Sequence, residues 1–371
     1  MKNLFLVLNW ILGLFFLSLF ILSIAAESWL PSLFVLIITI LLLPSFRRFI
    51  ILRLGLPLPF WLRSVAIPIL FVLFIITIFM GMGNKDSIYK TPDIKAKLMA
   101  IYDSRIEEWP VPFETRYIET QYGKVHVIIS GPADAAPVIL LHASAMAGWS
   151  WLYNIEGMNQ HYRTYAIDTI GDAGRSELRD IENFPPDGKA LAMLYSEIMD
   201  RLGIEKACFI GASQGGFIAT NMALFAPERV SKLVLCGPMG YGGTNLSVLR
   251  ILLTTMFPVK PLQKSTARWA FGDDPRVNAI VDEWFSAILA GVISRQARPQ
   301  PFSPQQLRQL NMPVLFLLGT RDGLVGDPLN TRKIARDIPN ARVELLDTGH
   351  LISAEKPQEF NRLVHEFIQG I

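Results

Sequence analysis

The stretch Cys208-Phe209-Ile210-Gly211-Ala212-Ser213-Gln214-Gly215-Gly216 runs from an apolar, strand-like segment through G-x-S-x-G into a helix-forming one. A serine so placed sits on a tight, strained strand-to-helix turn. Its hydroxyl stands clear of the backbone, and glycines two before and two after it let strand and helix pass closely. The same turn aims the helix amino end and the amide of Gln214 at a point where negative charge develops on a reacting oxygen. G-x-S-x-G by itself arises by chance, so its weight depends on what surrounds it.

Downstream the context is supportive. The strand-like run Val314 to Leu318 ends in Gly319-Thr320-Arg321-Asp322, a carboxylate at a strand's carboxyl edge. The next strand-like run, Arg342 to Leu346, is followed by Asp347-Thr348-Gly349-His350, which supplies an imidazole. A serine hydroxyl is too weak an acid to attack a carbonyl unaided; a histidine must take its proton and return it to the leaving group. A carboxylate behind the histidine fixes its tautomer and stabilises the imidazolium. Taken singly, these residues read as a turn serine, a helix-capping aspartate and a surface histidine. All three in the order Ser, Asp, His at the ends of successive strands point to a catalytic set of Ser213, Asp322 and His350, with Asp327 in the same loop as a rival acid.

Around this set, short β-rich runs alternate with helical ones, the pattern of an α/β domain with a mostly parallel sheet and helices on both faces. A hairpin is expected from Thr115 to Glu119 and Val125 to Ser130, with further strands at Val138 to Leu141, Thr164 to Ile167, Ala207 to Ile210 and Lys232 to Cys236. The clearest helices are Leu191 to Leu202, Gly216 to Phe225, Asn330 to Asp337 and Gln358 to Ile368. The interval 238–301 is too long for a simple crossover and reads as a helical cap, whose Phe257, Trp269, Phe271, Trp284 and Phe285 are candidates to line an apolar pocket. The expected organisation is a membrane segment at 1–83, a linker at 84–110 and the α/β domain at 111–371.

The membrane segment is read from composition. The 371 residues are 51% apolar with a formal net charge of +3. Between Met1 and Gly83 the only charged side chains are Lys2, Glu27, Arg47, Arg48, Arg53 and Arg63. Five positive against one negative gives +4, which leaves about −1 for the rest and no basic footprint for nucleic acid. Leu4 to Ala26 carries 23 residues without a charge, enough for a helix to cross a hydrocarbon core of about 30 Å. Further apolar runs at Trp29 to Phe46 and Ser64 to Met82, the latter with Pro68 in its first turn, bring the expected crossings to three. A signal peptide is the rival for the first run, but its apolar core usually spans only about 7–15 residues. An interfacial segment is the rival for the second. The four arginines of the second loop place it and the amino terminus in the cytoplasm, so the α/β domain is expected outside, on a multi-pass protein of the cell membrane.

Cys208 and Cys236 sit in apolar runs and read as buried core thiols. No metal site is expected, since His126, His161 and His365 lack ligand-like spacing.

At these residues the chain resembles the α/β-hydrolase superfamily and, within it, the carboxylesterase NP (naproxen-esterase-like) group. The narrower likeness covers about Tyr102 to Ile371 and rests on Trp109-Pro110-Val111, His126-Val127-Ile128, Ser130-Gly131-Pro132, Tyr162 to Ala166 and Asp168 to Ser176. It implies hydrolysis of carboxylic esters without metal or organic cofactor; a small apolar or lipid-like ester is the substrate that the aromatic-rich cap would suit. It also implies a second oxyanion donor in the loop His142-Ala143-Ser144-Ala145-Met146, where such hydrolases usually carry His-Gly. By position the donor is the amide of Ser144, beside that of Gln214; Ala143 departs from the pattern. His142 reads as a structural loop histidine, and Asp168 to Ser176 as an architectural turn. Cleavage of an amide or a carbon–carbon bond is a second enzymatic reading. A catalytically silent receptor that keeps the triad to bind a ligand belongs to a different class.

Overall fold

The computed structural model describes residues 2–25, 29–45, 59–81, 87–242, 250, 254, 259–272, 274–325 and 327–371. Two compact units divide the chain, Met1–Gly83 and Asn84–Ile371.

The first unit holds helices α1 (Lys2–Ala25), α2 (Trp29–Leu42) and α3 (Phe60–Gly81). Val35, Ile38 and Leu42 of α2 are buried together with Phe16 and Leu19 of α1 and Phe74 of α3. Pro68 lies inside α3, not in a first turn, because the helix already begins at Phe60. Among the described residues no helix is long and apolar enough to cross a membrane, so the three crossings expected from the sequence find no support there. Ala26, Glu27, Phe46, Arg47, Arg48, Arg53 and Met82, on which span ends and orientation were read, fall outside the described residues.

The second unit is built on a nine-stranded sheet. Its strands are β1 (Phe113–Thr120), β2 (Gly123–Ser130), β3 (Ala136–Leu141), β4 (Tyr162–Ile167), β5 (Glu177–Leu178), β6 (Ala207–Ala212), β7 (Val230–Cys236), β8 (Val314–Gly319) and β9 (Ala341–Leu346). They are ordered β1-β2-β4-β3-β6-β7-β8-β9, with β5 on β2. The β1–β2 hairpin and the β2–β4 pairing are antiparallel; from β4 across to β9 every pairing is parallel. After β3 the chain moves outward to β4, then returns to place β6 on the other side of β3. The β3–β6 boundary is therefore where strand order reverses, the place at which open α/β sheets bind ligands beyond the carboxyl ends of their strands.

Helices follow in the order α4 (Pro92–Glu107), α5 (Leu152–Met158), α6 (Gly188–Leu202), α7 (Gln214–Phe225), α8 (Lys260–Phe271), α9 (Pro275–Gly291), α10 (Pro304–Leu307), α11 (Pro328–Ala335), α12 (Ile352–Glu355) and α13 (Pro357–Gln369). Central strands are apolar on both faces, as a sheet covered twice requires. On β3, Ile139 and Leu141 pack with Leu194, Tyr195 and Ile198 of α6 and with Ile218 and Met222 of α7. Val138 and Leu140 face the other way, toward Ile155 of α5 and Phe360, Leu363 and Val364 of α13. Those spacings of three and four are one face of a helix. Asp187 caps the start of α6, accepting from the Ala190 amide at 2.9 Å, and Gly203 at φ 71° ends it.

The stretch expected as a linker, 84–110, departs from that expectation. Asn84 to Asp86 lie outside the described residues, and α4 occupies most of the remainder. Its Leu98, Ile101 and Tyr102 are buried against Trp284, Ala287 and Ile288 of α9. Side chains of this size contribute roughly 1.5–3 kcal/mol each when buried, enough to dock a short helix that its mixed surface charge made look solvated. The cap interval contributes α8 and α9 between β7 and β8.

Candidate active site

β6 delivers the serine. Ser213 stands between β6 and α7 at φ 51°, ψ −111°, a positive φ that a residue with a Cβ rarely adopts and that marks stored backbone strain. The flanking glycines are sterically required. A Cβ on Gly211 would lie 2.3 Å from the Gly215 carbonyl oxygen, and one on Gly215 would lie 2.2 Å from that of Leu141. The second contact sets the first turn of α7 directly on the end of β3, bringing the Gln214 amide and the loop after β3 to one place.

The acid and base meet beside it. His350, in the loop after β9, places Nδ1 2.6 Å from Oδ2 of Asp322, in the loop after β8. Oδ1 of Asp322 accepts from the amides of Leu324 at 2.8 Å and Val325 at 3.3 Å, so the carboxylate is held from both sides. Asp327, the rival acid, turns away: its Oδ1 accepts from the Leu329 amide at 2.9 Å and caps α11. The Ser213 amide donates to the Cys236 carbonyl at 2.9 Å. The next residue, Gly237, lies against the pair, since a Cβ there would be 3.0 Å from Asp322 Oδ2 and 3.2 Å from His350 Nδ1. The acid–base half of the relay is thus a formed hydrogen bond. Among the described residues the Ser213 hydroxyl takes part in no hydrogen bond, as is common before substrate tightens such a site.

The amides of Gln214 and Ser144 likewise have no acceptor among the described residues. His142 is locked in place. Its Nε2 accepts from the Thr169 amide at 2.9 Å and its Nδ1 donates to the Ala143 carbonyl at 2.8 Å. That pair of bonds fixes the neutral Nδ1–H tautomer and leaves the ring no proton-transfer role, in keeping with a structural loop histidine.

Beyond the elbow lies a small, mostly apolar pocket with a free volume of about 30 Å³, room for little more than a water molecule. Its lining includes Ala143, Ala212 and Leu351, neighbours of Ser144, Ser213 and His350, together with tryptophan and tyrosine side chains and the two serines Ser150 and Ser353. None of the cap aromatics expected to line a pocket does so here. Phe257 is outside the described residues. Phe271 and Phe285 pack edge to face at 4.9 Å, and Trp269 packs in the same cluster. Trp284 is fully buried against Trp149. The pocket's aromatic side chains, Trp149, Trp151 and Tyr153, come from the turn Gly148–Trp151 after β3 and the start of α5, residues not singled out from the sequence.

Two further carboxylates shape the surroundings. Asp168, at the end of β4, is completely buried. Burial alone would raise its pKa, but the hydrogen bond and charge of His126 and the bond from the Gly148 amide prevail and hold it below the usual carboxylate value. Glu355 of α12 accepts from the Gly349 amide at 2.8 Å, one residue before His350. Burial pushes its carboxyl up to about 7, against the pull of that amide and of Arg321.

Cys208 and Cys236 are buried free thiols in the sheet core, and burial pushes Cys208 up to about 12. Among the described residues no cluster of His, Cys, Asp and Glu could hold a metal ion.

A hydroxyl on a strained elbow at the switch point, a buried His–Asp pair beside it and two unengaged amides at Gln214 and Ser144 are the groups that hydrolase chemistry needs. Residues 136–276 match the alpha/beta hydrolase fold family. A curated relative named uncharacterized carboxylesterase nap, from Bacillus subtilis, is 30% identical over 305 residues, covering 78% of this chain and 97% of its own length. Carboxylesterase YbfK of the same organism is 29% identical over 279 residues, 72% of this chain and 92% of its own. The solved structure of naproxen esterase (carboxylesterase NP) from Bacillus subtilis superposes with a TM-score of 0.67 at 28% identity, covering 75% of this chain and 99% of that one. The chain belongs to the α/β-hydrolase family.

Proposed function

We propose that this protein is a membrane-anchored serine hydrolase that cleaves carboxylic esters through an acyl-enzyme on Ser213. The observation that carries the reading is the 2.6 Å His350–Asp322 pair set beside a strained serine whose hydroxyl is uncommitted. The similarity to carboxylesterases over nearly their full length supports the ester class.

In this reading His350 Nε2 takes the Ser213 proton as the oxygen attacks the ester carbonyl. Asp322 holds the Nδ1–H tautomer and steadies the imidazolium. The oxygen of the tetrahedral intermediate is met by the Gln214 and Ser144 amides. Collapse expels the alcohol, which receives the proton from His350. A water deprotonated by the same imidazole then attacks the acyl-enzyme; the bond to Ser213 breaks, its oxygen takes the proton back from His350, and the acid is released. No step requires a metal or organic cofactor. The uncharged walls of the pocket suit an apolar acyl or alkoxy group, which makes a small apolar or lipid-like ester the proposed substrate.

Anchoring is supported by the uncharged run from Leu4 to Ala26 and by side chains of both surfaces of the helical unit. Val7, Ile11, Phe15 and Ile21 of α1 and Val65, Ile69 and Val72 of α3 are exposed while its interior is apolar too, an arrangement suited to hydrocarbon. The arginine-rich second loop favours a hydrolase domain on the extracytoplasmic face.

A fluorophosphonate probe applied to wild type and Ser213→Ala tests the chemistry: labelling of the wild type alone is expected, and labelling that survives the substitution removes Ser213 as nucleophile. Turnover of p-nitrophenyl esters of increasing acyl length then reads the pocket. Alkaline carbonate extraction tests the anchor, and release of the full chain into the soluble fraction would refute it.

A further inference from the structure

Ala145 is the other residue besides Ser213 with a Cβ and a positive φ among those described, at 62°. It occupies the third position of the turn closed by Met146 N–H to Ala143 C=O at 3.0 Å. With positive φ at that position alone the turn is of type II, which asks for glycine there; an alanine costs roughly 1 kcal/mol. Both peptide groups of Ala145 are held by side chains remote in sequence. Its N–H donates to Asp172 Oδ2 at 2.9 Å. Its carbonyl accepts from the indole Nε1 of Trp284, on cap helix α9, at 2.8 Å. Each clamp is itself braced. Asp172 is fully buried and its Oδ1 accepts from the Ala173 amide and the Ser294 hydroxyl at 2.9 and 2.8 Å, while the Trp284 ring meets Trp149 edge to face at 5.3 Å.

We propose that Asp172 and Trp284 are positioning residues for the oxyanion turn: they hold Ala145 in its left-handed conformation and so fix the path of the loop that carries the Ser144 amide beside the serine elbow. This rests on the reading of Ser144 as an oxyanion donor given above. Alanine prefers the alternative turn in which the Ser144–Ala145 peptide is flipped; the flip would break the bond to Asp172 and reverse the Ser144 carbonyl, and the Ser144 N–H, in the preceding peptide, would move only as the loop shifts around it. Because one clamp comes from the cap, the geometry of the hole depends on the cap being seated. The departure from His-Gly at Ala143 is absorbed in the same way, since the turn's path is fixed by its partners and not by glycine freedom.

The test uses the full chain in detergent. Trp284→Phe removes the indole donor and keeps a ring against Trp149; Asp172→Asn removes one acceptor and serves if the first variant folds poorly, as checked by thermal unfolding. On p-nitrophenyl butyrate, kcat is expected to fall roughly 10- to 100-fold, less than or comparable to loss of an oxyanion donor, with KM within about twofold. Adding Ala145→Gly should recover about fivefold in kcat, because glycine holds positive φ without help. Unchanged kcat in folded variants, or a loss that Ala145→Gly does not relieve, would overturn the clamp while leaving Ser213-dependent fluorophosphonate labelling of the wild type intact. Loss of that labelling in the wild type would overturn the parent reading, and the clamp with it.

Discussion

Among the described residues two Ser, His, Asp sets can be compared, and they differ in how the serine hydroxyl is used. In the first, His350 Nδ1 and Asp322 Oδ2 are 2.6 Å apart with both side chains 2% exposed; in the second, His126 Nδ1 and Asp168 Oδ2 are 3.1 Å apart at 2% and 1%. Burial and residue type do not tell them apart. The hydroxyl does. Ser176 donates to the Asp168 carbonyl at 2.6 Å and accepts from the His126 amide at 2.9 Å, so both its roles are consumed by backbone. Ser213 is lifted off its strand by a strained φ and left uncommitted. The rings differ as well: His126 is enclosed by Tyr102 and Tyr117, whereas His350 adjoins the elbow and the apolar pocket. A nucleophile is thus a matter of which hydrogen bonds a serine is denied.

The largest effect that could break this contrast is the exchange of the two serines. Ser213→Ala should lower kcat by at least about 10³-fold with little change in the melting temperature. Ser176→Ala should leave kcat within about twofold and cost roughly 1–3 kcal/mol of stability, by leaving buried backbone groups less well paired. Steady-state rates and denaturant unfolding of both variants decide it; comparable loss of activity in the two would erase the distinction.

Replacing the carboxylates sharpens the same contrast. Asp322→Asn leaves the imidazole present but frees its tautomer, so kcat is expected to fall about 10⁴-fold. Asp168→Asn should act on stability, because the Asp168 side chain serves His126 and the amides of Gly148 and Arg175. Asp168 has a folded-state pKa below its ordinary value, so its charge contributes stability above the ordinary carboxylate pKa, and that contribution is lost as pH falls through the folded value. Unfolding followed from pH 7 down to 3 should show less acid destabilisation in Asp168→Asn than in the wild type. An unchanged acid slope would show that the pair is not what holds that region together.

Much of the candidate site is legible in the sequence because it is written in local chain chemistry. Gly211 and Gly215 are demanded by contacts under 2.5 Å, so their spacing about Ser213 signals the elbow directly. Asp322 and His350 follow strands whose apolar runs are unmistakable. What was not legible depends on contacts between distant segments. Asp327 and Asp322 are five residues apart in one loop, and only the fold shows that one caps a helix while the other meets His350. Helix α4 looked like a linker because its buried stripe, Leu98, Ile101 and Tyr102, finds its partner about 180 residues later in α9. The pocket's tryptophans lie in a short turn with no helical or strand period to expose their facing.

Glu355 carries a smaller effect, at the Gly349 amide one residue before His350. Its folded-state pKa, about 7, lies above its ordinary 4.5, raised by burial and further by Asp274 and Asp322 against the Gly349 amide and Arg321. A raised carboxyl pKa favours the protonated form, so the stability it confers is full below about 4.5 and is lost as pH rises through about 7. Glu355→Gln keeps an acceptor for the Gly349 amide and cannot ionise. The variant should match the wild type near pH 5 and exceed it at pH 8, by on the order of 1 kcal/mol. Parallel melting profiles across that range would refute the assignment.

The smallest expected effect settles which aspartate belongs to which task. Asp327→Ala removes the cap of α11, whose Leu329 amide would then face solvent, at a cost of roughly 0.5–2 kcal/mol. Catalysis should be unaffected, because the Asp327 carboxylate is engaged 2.9 Å from that amide and the imidazole is already paired with Asp322. A kcat reduced by more than about tenfold in Asp327→Ala, with Asp322→Asn retaining most activity, would reverse the assignment. In that event the 2.6 Å pair would be a second structural His–Asp contact like the one at Asp168, and the contrast between the two sets would collapse.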